Sequence, residues 1–174
     1  AGGKSQRFGQ DKSQVKLNDK ILIDYILSEI IDEFNEVLIV TNDPIKHLSS
    51  EKIQKTEDFE KNLGPLGGIF SSMNWVKDNN KPYQWIASFP SDTPFFNKSI
   101  FKKFLTKINV KESKLFFINS GEKRHNIFGL WSIDLFDQLK KDLNNGSRKV
   151  EEWANKIGVK TINMSFEKYD PFFN

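Results

Sequence analysis

The stretch QWIASFPSDTPFF, residues 84–96, contains the change of pattern that decides the fold. Its first six residues form a largely apolar run, typical of a strand covered on both faces of a sheet. Pro90 ends the run, and Asp92 follows between Pro90 and Pro94. A carboxylate just beyond the carboxyl end of a strand lies where α/β sheets bind ligands. Asp92 is therefore a candidate site residue, although a turn or helix-capping role near Asn97 is the competing interpretation.

Similar runs recur along the chain, and helical patterns separate them. Further strands are predicted at EVLIVT (36–41), KLFFIN (114–119) and VKTINMSF (159–166). Apolar residues at i, i+3 and i+4 spacing predict helices over 22–34, 66–76, 100–108 and 136–143, and from about residue 147. This alternation predicts a three-layer α/β domain with a mostly parallel sheet. HNIFGLW (125–131) is expected to return as an antiparallel hairpin with KLFFIN, through the linker 121–124.

The composition limits the classes of protein that the chain can belong to. Its 174 residues suit one domain spanning 1–174, and 26 basic against 23 acidic residues give a formal charge of +3. No dense basic block predicts nucleic-acid binding, and no apolar run reaches the ~18 residues of a membrane helix. The absence of cysteine excludes disulfides and thiolate metal sites, and is compatible with the cytoplasmic location that we expect.

The first twelve residues, AGGKSQRFGQDK, predict a phosphate-binding loop. The fragment GGKS resembles the end of a Walker A motif, but the polar residues and Gly9 that follow it do not predict the immediate helix which that motif requires. A wider loop fits better, because glycines let backbone N–H groups approach phosphate oxygens while Arg7 and Lys12 add positive charge. A terminal segment with ordinary charged residues is the alternative.

Residue 1 already lies in what would be the loop after a strand. We therefore expect a strand of roughly six or seven residues before it in the native protein, a typical strand length. The pattern at DPFFN also stops before its end, so a further C-terminal segment is expected.

The stretch NLGPLGG, residues 62–68, is the third candidate segment. Gly64-Pro65 would form a rigid turn, and Gly67-Gly68 would leave room for a flat ligand near a helix N-terminus. A Gly-Pro turn that simply begins a helix is the alternative.

Together, AGGKSQRFGQDK, NLGPLGG and FPSDTPF resemble, in this order and at these intervals, the molybdenum cofactor guanylyltransferase family. The family pattern is approximately LAGGxSxRMGxDK, then GPLAG, then PCDxPF. HNIFGLW and NNGSRKVEEW also resemble later family segments, HPxxALW and GxRRVxxW, so the resemblance covers nearly the whole chain. It implies a Rossmann-like nucleotidyltransferase fold.

The resemblance implies the transfer of GMP from GTP to molybdopterin, with release of pyrophosphate and with Mg²⁺ as the cofactor. The implied catalytic residues are Arg7, Lys12 and Asp92, and Asp92 is the implied metal ligand. The implied nucleotide-binding residues are Ala1, Gly2, Gly3, Lys12, Asn42, Asp58, Gly64, Pro65, Leu66, Gly68 and Asp92, and the implied pterin-binding residues are His125, Arg148 and Asn174. Transient contact with molybdenum cofactor biosynthesis or acceptor proteins is also expected.

Several positions depart from the family pattern. Phe8 replaces the usual Met, Ser91 replaces the usual Cys, and His125-Asn126 replaces His-Pro, which bears on the pterin contacts.

Alternatives to a guanylyltransferase stay open at this point. They are a relative that uses CTP for the same pterin, a transferase with a sugar phosphate acceptor, and a nucleotide-binding module without turnover. For Asp58 the competing interpretation is a solvated loop acid, and for Arg148 it is a surface pair with Lys149 at a helix start. For His125 it is a strand residue in the wall of the domain.

Overall fold

The computed structural model describes residues 16–42, 50–60, 63–166 and 170–172. The strands are β1 (Lys16–Leu17), β2 (Lys20–Ile21), β3 (Val37–Val40), β4 (Ile53–Thr56), β5 (Trp85–Ser88), β6 (Leu115–Ser120), β7 (Lys123–Ser132) and β8 (Lys160–Met164). The helices are α1 (Leu22–Ile30), α2 (Gly64–Asp78), α3 (Lys98–Thr106), α4 (Phe136–Asn144) and α5 (Val150–Ile157).

The larger sheet has the strand order β5-β7-β6-β8. Strand β7 is antiparallel to both β5 and β6, whereas β6 and β8 are parallel, so β5, β6 and β8 run in one direction. The predicted hairpin is confirmed, but its linker is shorter than expected. Ser120 pairs with Lys123, and Gly121 takes the positive φ of 57° that a two-residue hairpin loop requires. Lys123 and Arg124 therefore belong to β7.

A second, parallel pair joins β3 to β4, with Val37 opposite Ile53 and Val40 opposite Thr56. The sequence did not predict β4, because its IQKT stretch carries no strand-like apolar run. The sequence also missed the short β1–β2 hairpin, in which Asn18 and Asp19 both adopt positive φ angles in the loop. Asn and Asp tolerate that conformation better than other side chains.

Helices cover both faces of the larger sheet, which confirms the three-layer α/β fold. Alternate residues of β6 point to opposite faces, as strand geometry dictates, so that Phe116 and Phe117 lie in different cores. One core joins β6 and β7 to β3, α1 and α3. The other joins them to α2, α4 and α5.

Helix limits differ from the predicted ones at several ends. Helix α2 begins at Gly64 rather than at Leu66, so Gly64 and Pro65 form its first turn instead of a separate turn before it. Proline is tolerated there because the first helical N–H groups have no intrahelical acceptor. Helix α1 ends at Ile30, and α5 begins at Val150. Within the described residues, no helix has both the length and the apolar character to cross a membrane.

Candidate active site

Two of the predicted nucleotide-binding residues form a hydrogen-bonded pair beyond the carboxyl ends of β3 and β4. The side-chain amide of Asn42 donates to Asp58 Oδ2 at 3.2 Å, and the backbone N–H of Asp58 donates to Asn42 Oδ1 at 3.2 Å. The pairing of the strands continues up to this point, because the Thr41 N–H donates to the Thr56 carbonyl. The parallel pairing of β3 and β4 therefore brings together two residues that are 16 positions apart in the sequence.

The segment after Asp58 is fastened to α2. The Phe59 N–H donates to Ser71 Oγ at 2.8 Å, and Ser71 Oγ in turn donates to the Gly67 carbonyl at 2.9 Å. The Phe59 ring packs edge-on against Phe70, with 5.0 Å between the ring centroids. The Asn42–Asp58 pair is thus held at a fixed position relative to the glycine-containing start of α2.

The glycines at the start of α2 have different surroundings. A side chain at Gly67 would place its Cβ 2.5 Å from Leu63 Cβ, so packing against Leu63 explains this glycine. A Cβ at Gly68 would meet no atom within 4 Å among the described residues. Glycine inside a helix costs about 1 kcal/mol relative to alanine, and crowding at the Cβ position by the described residues does not account for that cost. The open space over Gly68 is the feature that a flat ligand would need.

The other predicted residues at the start of α2 are Gly64, Pro65 and Leu66, and their surroundings differ. Gly64 has φ of 64°, and a Cβ there would lie 3.7 Å from the Arg148 carbonyl, so α2 begins beside the segment that leads into α5. Pro65 is exposed, whereas the side chain of Leu66 is fully buried in the core. Pro65 is therefore open to a ligand at this helix start, whereas Leu66 is not, because the whole residue is buried.

Asp92 lies in a compact loop between β5 and α3, where the sequence predicted it, and it is half-buried. The loop closes through Thr93, whose hydroxyl donates to the Pro90 carbonyl and whose carbonyl accepts from the Phe96 N–H. Asp92 does not cap α3, because Asn97 is the N-cap residue and its Oδ1 accepts from the Ser99 N–H at 2.8 Å. The helix-capping part of the competing interpretation is therefore wrong, whereas Asp92 does lie in a turn, as its other part expected.

Aromatic rings connect the Asp92 loop to the surroundings of His125. Phe96 and Phe89 both pack against Phe128 of β7, with centroid distances of 4.9 and 5.1 Å. Phe128 packs against Phe172 at 5.0 Å, and Phe172 packs against the His125 ring at 4.2 Å. A single aromatic cluster therefore supports both Asp92 and His125.

A bulge in β7 lies between the Asp92 loop and His125. Pairing with β6 passes from Phe117–Gly129 directly to Ile118–His125, which leaves residues 126–128 outside the ladder. Ser88 at the end of β5 donates to the Ile127 carbonyl inside this bulge. Bulges are frequent beside active sites, because they redirect side chains at the end of a strand.

His125 itself is nearly buried, with 8% of its side chain exposed. Its Nε2 lies 2.8 Å from Ser120 Oγ, and Ser120 Oγ donates to Asp170 Oδ2 at 2.7 Å. Burial lowers the pKa of His125, and nearby Lys123 lowers it further, while Asp170 acts in the opposite direction. The net pKa lies below the ordinary value, so the ring is neutral at neutral pH.

Arg148 is exposed, and its guanidinium Nη1 donates to the carbonyls of Leu143 and Ser147 at 2.7 Å each. The first contact is to a carbonyl in the last turn of α4, and the second is to the carbonyl of the preceding residue, beyond the end of the helix. Arg148 therefore has a structural role, in addition to the proximity of its backbone to Gly64.

The remaining predicted residues lie outside the described part of the chain; they are Ala1, Gly2, Gly3, Arg7, Lys12 and Asn174. Conversely, the sequence did not single out Ser120 or Asp170. Nothing in the spacing of these two residues, 50 positions apart, shows that they contact the same histidine. The motif DPFFN, which contains Asp170, stands out in the sequence only by its position near the end.

The carboxylate of Asp92 fits a hard divalent cation only if a bound ligand supplies further oxygen atoms. No cluster of three or more histidine or acidic side chains occurs in the described ranges, so they present no complete protein cage. Mg²⁺ needs only one or two carboxylates when substrate phosphates provide other ligands. The carboxylate of Asp92 fits this arrangement.

The three-layer α/β fold, with polar residues beyond its strand ends, is of the Rossmann-like class, and the family match makes the protein a nucleotidyltransferase. Residues 1–157 match the family model described as the MobA-like NTP transferase domain, and the chain belongs to this family.

A molybdenum cofactor guanylyltransferase of Nitrobacter hamburgensis is 24% identical over an alignment that covers 100% of this chain and 85% of that protein. The crystal structure of a molybdopterin-guanine dinucleotide biosynthesis protein A from Archaeoglobus fulgidus has a TM-score of 0.71 at 17% identity, covering 93% of this chain and 80% of that one. A manganese complex of a Mycobacterium tuberculosis H37Rv protein has a TM-score of 0.60 at 10% identity, covering 89% of this chain and 82% of that one.

Proposed function

We propose that this chain transfers GMP from GTP to molybdopterin, releases pyrophosphate and forms the guanine dinucleotide cofactor. The observation that carries the proposal is the Asn42–Asp58 pair, fastened to α2 in a chain whose family match spans residues 1–157. The guanylyltransferase names of its relatives support the same reaction. We place this reaction in the cytoplasm, with transient contact to proteins that supply or receive the pterin.

The Asn42–Asp58 pair suits recognition of guanine. Guanine offers two adjacent donors, its N1–H and its exocyclic amine, and one carboxylate can accept both; cytosine and adenine do not present this pair. Asn42 donates to Oδ2 of Asp58, which fixes the plane of the carboxylate and leaves acceptor capacity on both oxygens. Asn42 therefore orients the acidic side chain that selects the base.

The phosphates would lie between the N-terminal loop, the start of α2 and the Asp92 loop. Arg7 and Lys12 would bind the triphosphate and neutralise the leaving pyrophosphate, and the N–H groups of the first three residues would complete the cradle. Gly64 and Pro65, which are exposed, would offer backbone groups at a helix N-terminus, Leu66 would support them from the core, and Gly68 would provide space. Asp92 would hold Mg²⁺, which supplies charge neutralisation at phosphate oxygens when it is bound.

The reaction needs no protein base. The nucleophile is the terminal phosphate of the pterin, a monoester with a second pKa of about 6 that is largely dianionic at neutral pH. Orientation and charge neutralisation are then sufficient to promote its attack on the α-phosphorus of GTP. This agrees with a set of predicted residues made of cations, glycines and one metal-binding carboxylate.

The pterin would bind near the hairpin of β6 and β7. His125 would contact the pterin ring, while Arg148 and Asn174 would contact its phosphate or its edge. Since the side chain of Arg148 already bonds carbonyls through Nη1, its other guanidinium nitrogens would make the phosphate contact. The aromatic cluster of Phe89, Phe96, Phe128 and Phe172 would hold the pterin-binding site at a fixed position relative to Asp92.

The test is pyrophosphate release by the full-length chain with Mg²⁺, GTP and molybdopterin. We expect release that depends on all three, and we expect Asp92→Asn to reduce it by about 100-fold or more, because the variant removes the metal-binding charge. Asp134→Asn is the matched control, since Asp134 is an exposed carboxylate at the far end of β7, and it should leave the rate unchanged.

Other results would each contradict part of this proposal. Release with CTP at the rate seen with GTP would refute the choice of guanine, and release with a sugar phosphate as acceptor would refute the pterin. GTP binding without any pyrophosphate release would indicate a binding module instead of an enzyme. An unchanged rate in Asp92→Asn would refute the role of that residue.

A further inference from the structure

Three side chains from separate segments meet at the end of β6. Ser120 is the last residue of β6, His125 lies on β7 across the hairpin, and Asp170 comes from the C-terminal segment. Ser120 Oγ lies 2.8 Å from His125 Nε2 and 2.7 Å from Asp170 Oδ2. The direct separation between His125 Nε2 and Asp170 Oδ2 is longer, at 3.8 Å. The serine hydroxyl therefore stands between the histidine and the carboxylate.

Counting protons fixes the direction of both hydrogen bonds. A carboxylate only accepts hydrogen bonds, so the single hydroxyl proton of Ser120 is donated to Asp170. The contact between Ser120 and His125 then needs a proton from the ring, and Nε2–H is the donor. The neutral imidazole carries one proton, and Nδ1 is consequently left as its acceptor.

The carboxylate and the ring are both held in place. Asp170 Oδ1 accepts from the Phe172 N–H at 2.9 Å, so each oxygen of this carboxylate has a defined partner. The Phe172 ring lies 4.2 Å from the His125 ring, with an angle of 34° between the planes. The desolvation that lowers the pKa of His125 also favours the neutral ring that this arrangement requires.

The geometry excludes a nucleophilic triad despite the Ser, His and Asp side chains. In such a triad the serine donates its proton to the histidine, and the carboxylate binds the opposite ring nitrogen. Here the serine and the carboxylate are both on the Nε2 side, and the serine donates to the carboxylate. Ser120 is therefore not activated for attack, and its hydroxyl serves to orient the ring.

We propose that Ser120 and Asp170 are positioning residues, which hold His125 as the Nε2–H tautomer so that Nδ1 accepts a hydrogen bond from an N–H group of the pterin substrate. The pterin as ligand rests on the proposed function, whereas the tautomer rests on the contacts of Ser120 alone. A pterin ring carries N–H donors on its pyrimidine edge, and a neutral histidine with a fixed acceptor nitrogen can select that edge. The opposite tautomer would place a donor there and would disfavour the contact.

The tautomer can be measured directly by two-bond ¹H–¹⁵N correlation spectra of the full-length chain labelled with ¹⁵N. We expect His125 to show a protonated Nε2 and an unprotonated Nδ1 in the wild type and in Ser120→Thr, which keeps the hydroxyl. In Ser120→Ala we expect a mixture of tautomers. A wild-type ring protonated at Nδ1, or a Ser120→Ala spectrum identical to that of the wild type, would overturn the proposal.

Kinetics test the consequence for the substrate. Loss of one oriented hydrogen bond should raise the KM for molybdopterin in Ser120→Ala by about three- to tenfold. The KM for GTP and kcat should stay unchanged, since the proposed function places GTP at Asn42, Asp58 and Asp92 and not at these contacts. Ser120→Thr should restore the KM, and Ser28→Ala, at an exposed serine of α1, should behave as the wild type.

An unchanged KM for molybdopterin in Ser120→Ala would refute the role of these residues in acceptor binding. A wild-type chain that releases no pyrophosphate with GTP and molybdopterin would refute the proposed function instead, and the spectra would still decide the tautomer. The two failures are therefore distinguishable.

Discussion

Asp142 on α4 is the most completely buried carboxylate among the described residues, with 2% of its surface exposed. Its carboxylate accepts hydrogen bonds from Gln138 Nε2, Trp153 Nε1 and Lys156 Nζ. Trp153 and Lys156 belong to α5, so one acidic side chain joins two helices. Burial alone raises the pKa of Asp142, but the hydrogen bonds from Lys156, Gln138 and Trp153 lower it by more, and the net pKa lies below its ordinary value.

The lowered pKa makes stability depend on pH. A carboxyl group whose pKa is lower in the folded than in the unfolded chain stabilises the fold above its unfolded value of about 3.9, and this contribution is lost as pH falls through the folded value. We expect Asp142→Asn to lower the free energy of unfolding at neutral pH by about 1–3 kcal/mol, because a charge-assisted bond to Lys156 is lost. We also expect the variant to lose less stability than the wild type below about pH 4.

Urea unfolding at a series of pH values measures both effects. Asp134→Asn serves as the control, because it removes a carboxylate that is 70% exposed and should change the free energy of unfolding little. Equal stability of Asp142→Asn and the wild type at neutral pH would show that this carboxylate does not hold α4 to α5.

Two adjacent glycines in the first turns of α2, Gly67 and Gly68, have different roles. Gly67 packs against Leu63, whereas the position of a Cβ on Gly68 is open space among the described residues. Gly67→Ala should destabilise the protein, because the new methyl group would lie within 2.5 Å of Leu63 Cβ. Gly68→Ala should stabilise it by about 1 kcal/mol through helix propensity.

Gly68→Ala should weaken GTP binding although it stabilises the fold, because its methyl group would enter the space that we assign to the nucleotide. Gly67→Ala, which destabilises the fold, should not have this direct effect on binding. Thermal unfolding with and without GTP measures stability and binding in the same samples. A stable Gly68→Ala variant that binds GTP as tightly as the wild type would contradict a nucleotide over this turn of α2.

Nucleotide selectivity can be measured on the whole molecule. A ligand at about 100 times its Kd stabilises a protein by about 2.7 kcal/mol, which corresponds to about 5–10 °C in Tm for a chain of this size. We expect GTP with Mg²⁺ to raise the Tm more than CTP or ATP does. Asp58→Asn should reduce the shift with GTP, while Glu60→Gln, at an exposed acid in the same loop, should not.

Equal Tm shifts with GTP, CTP and ATP in the wild type would argue against guanine selectivity. A full GTP shift in Asp58→Asn would leave selectivity in place but would exclude this carboxylate as its cause.

The sequence alone predicted the class of fold, because its signals are local. Apolar runs such as LFFIN within β6, separated by helical patterns, required burial on both faces and so predicted three layers. The predictions failed where the local signal was weak or ambiguous. The polar IQKT of β4 forms a strand because β3 offers it a parallel partner, and Gly64-Pro65 joins α2 because proline is permitted in a first helical turn.

The sequence also identified Asn42, Asp58, Asp92 and His125 one at a time, by their positions after strands or by family resemblance. Only the tertiary structure decided their partners. Parallel pairing of β3 with β4 joins Asn42 to Asp58, and the C-terminal segment brings Asp170 to Ser120 and His125. Such contacts join residues 16 or 50 positions apart, and chain folding rather than local spacing sets their distances. Local patterns thus determine which elements form, whereas the packing of those elements determines which side chains share a site.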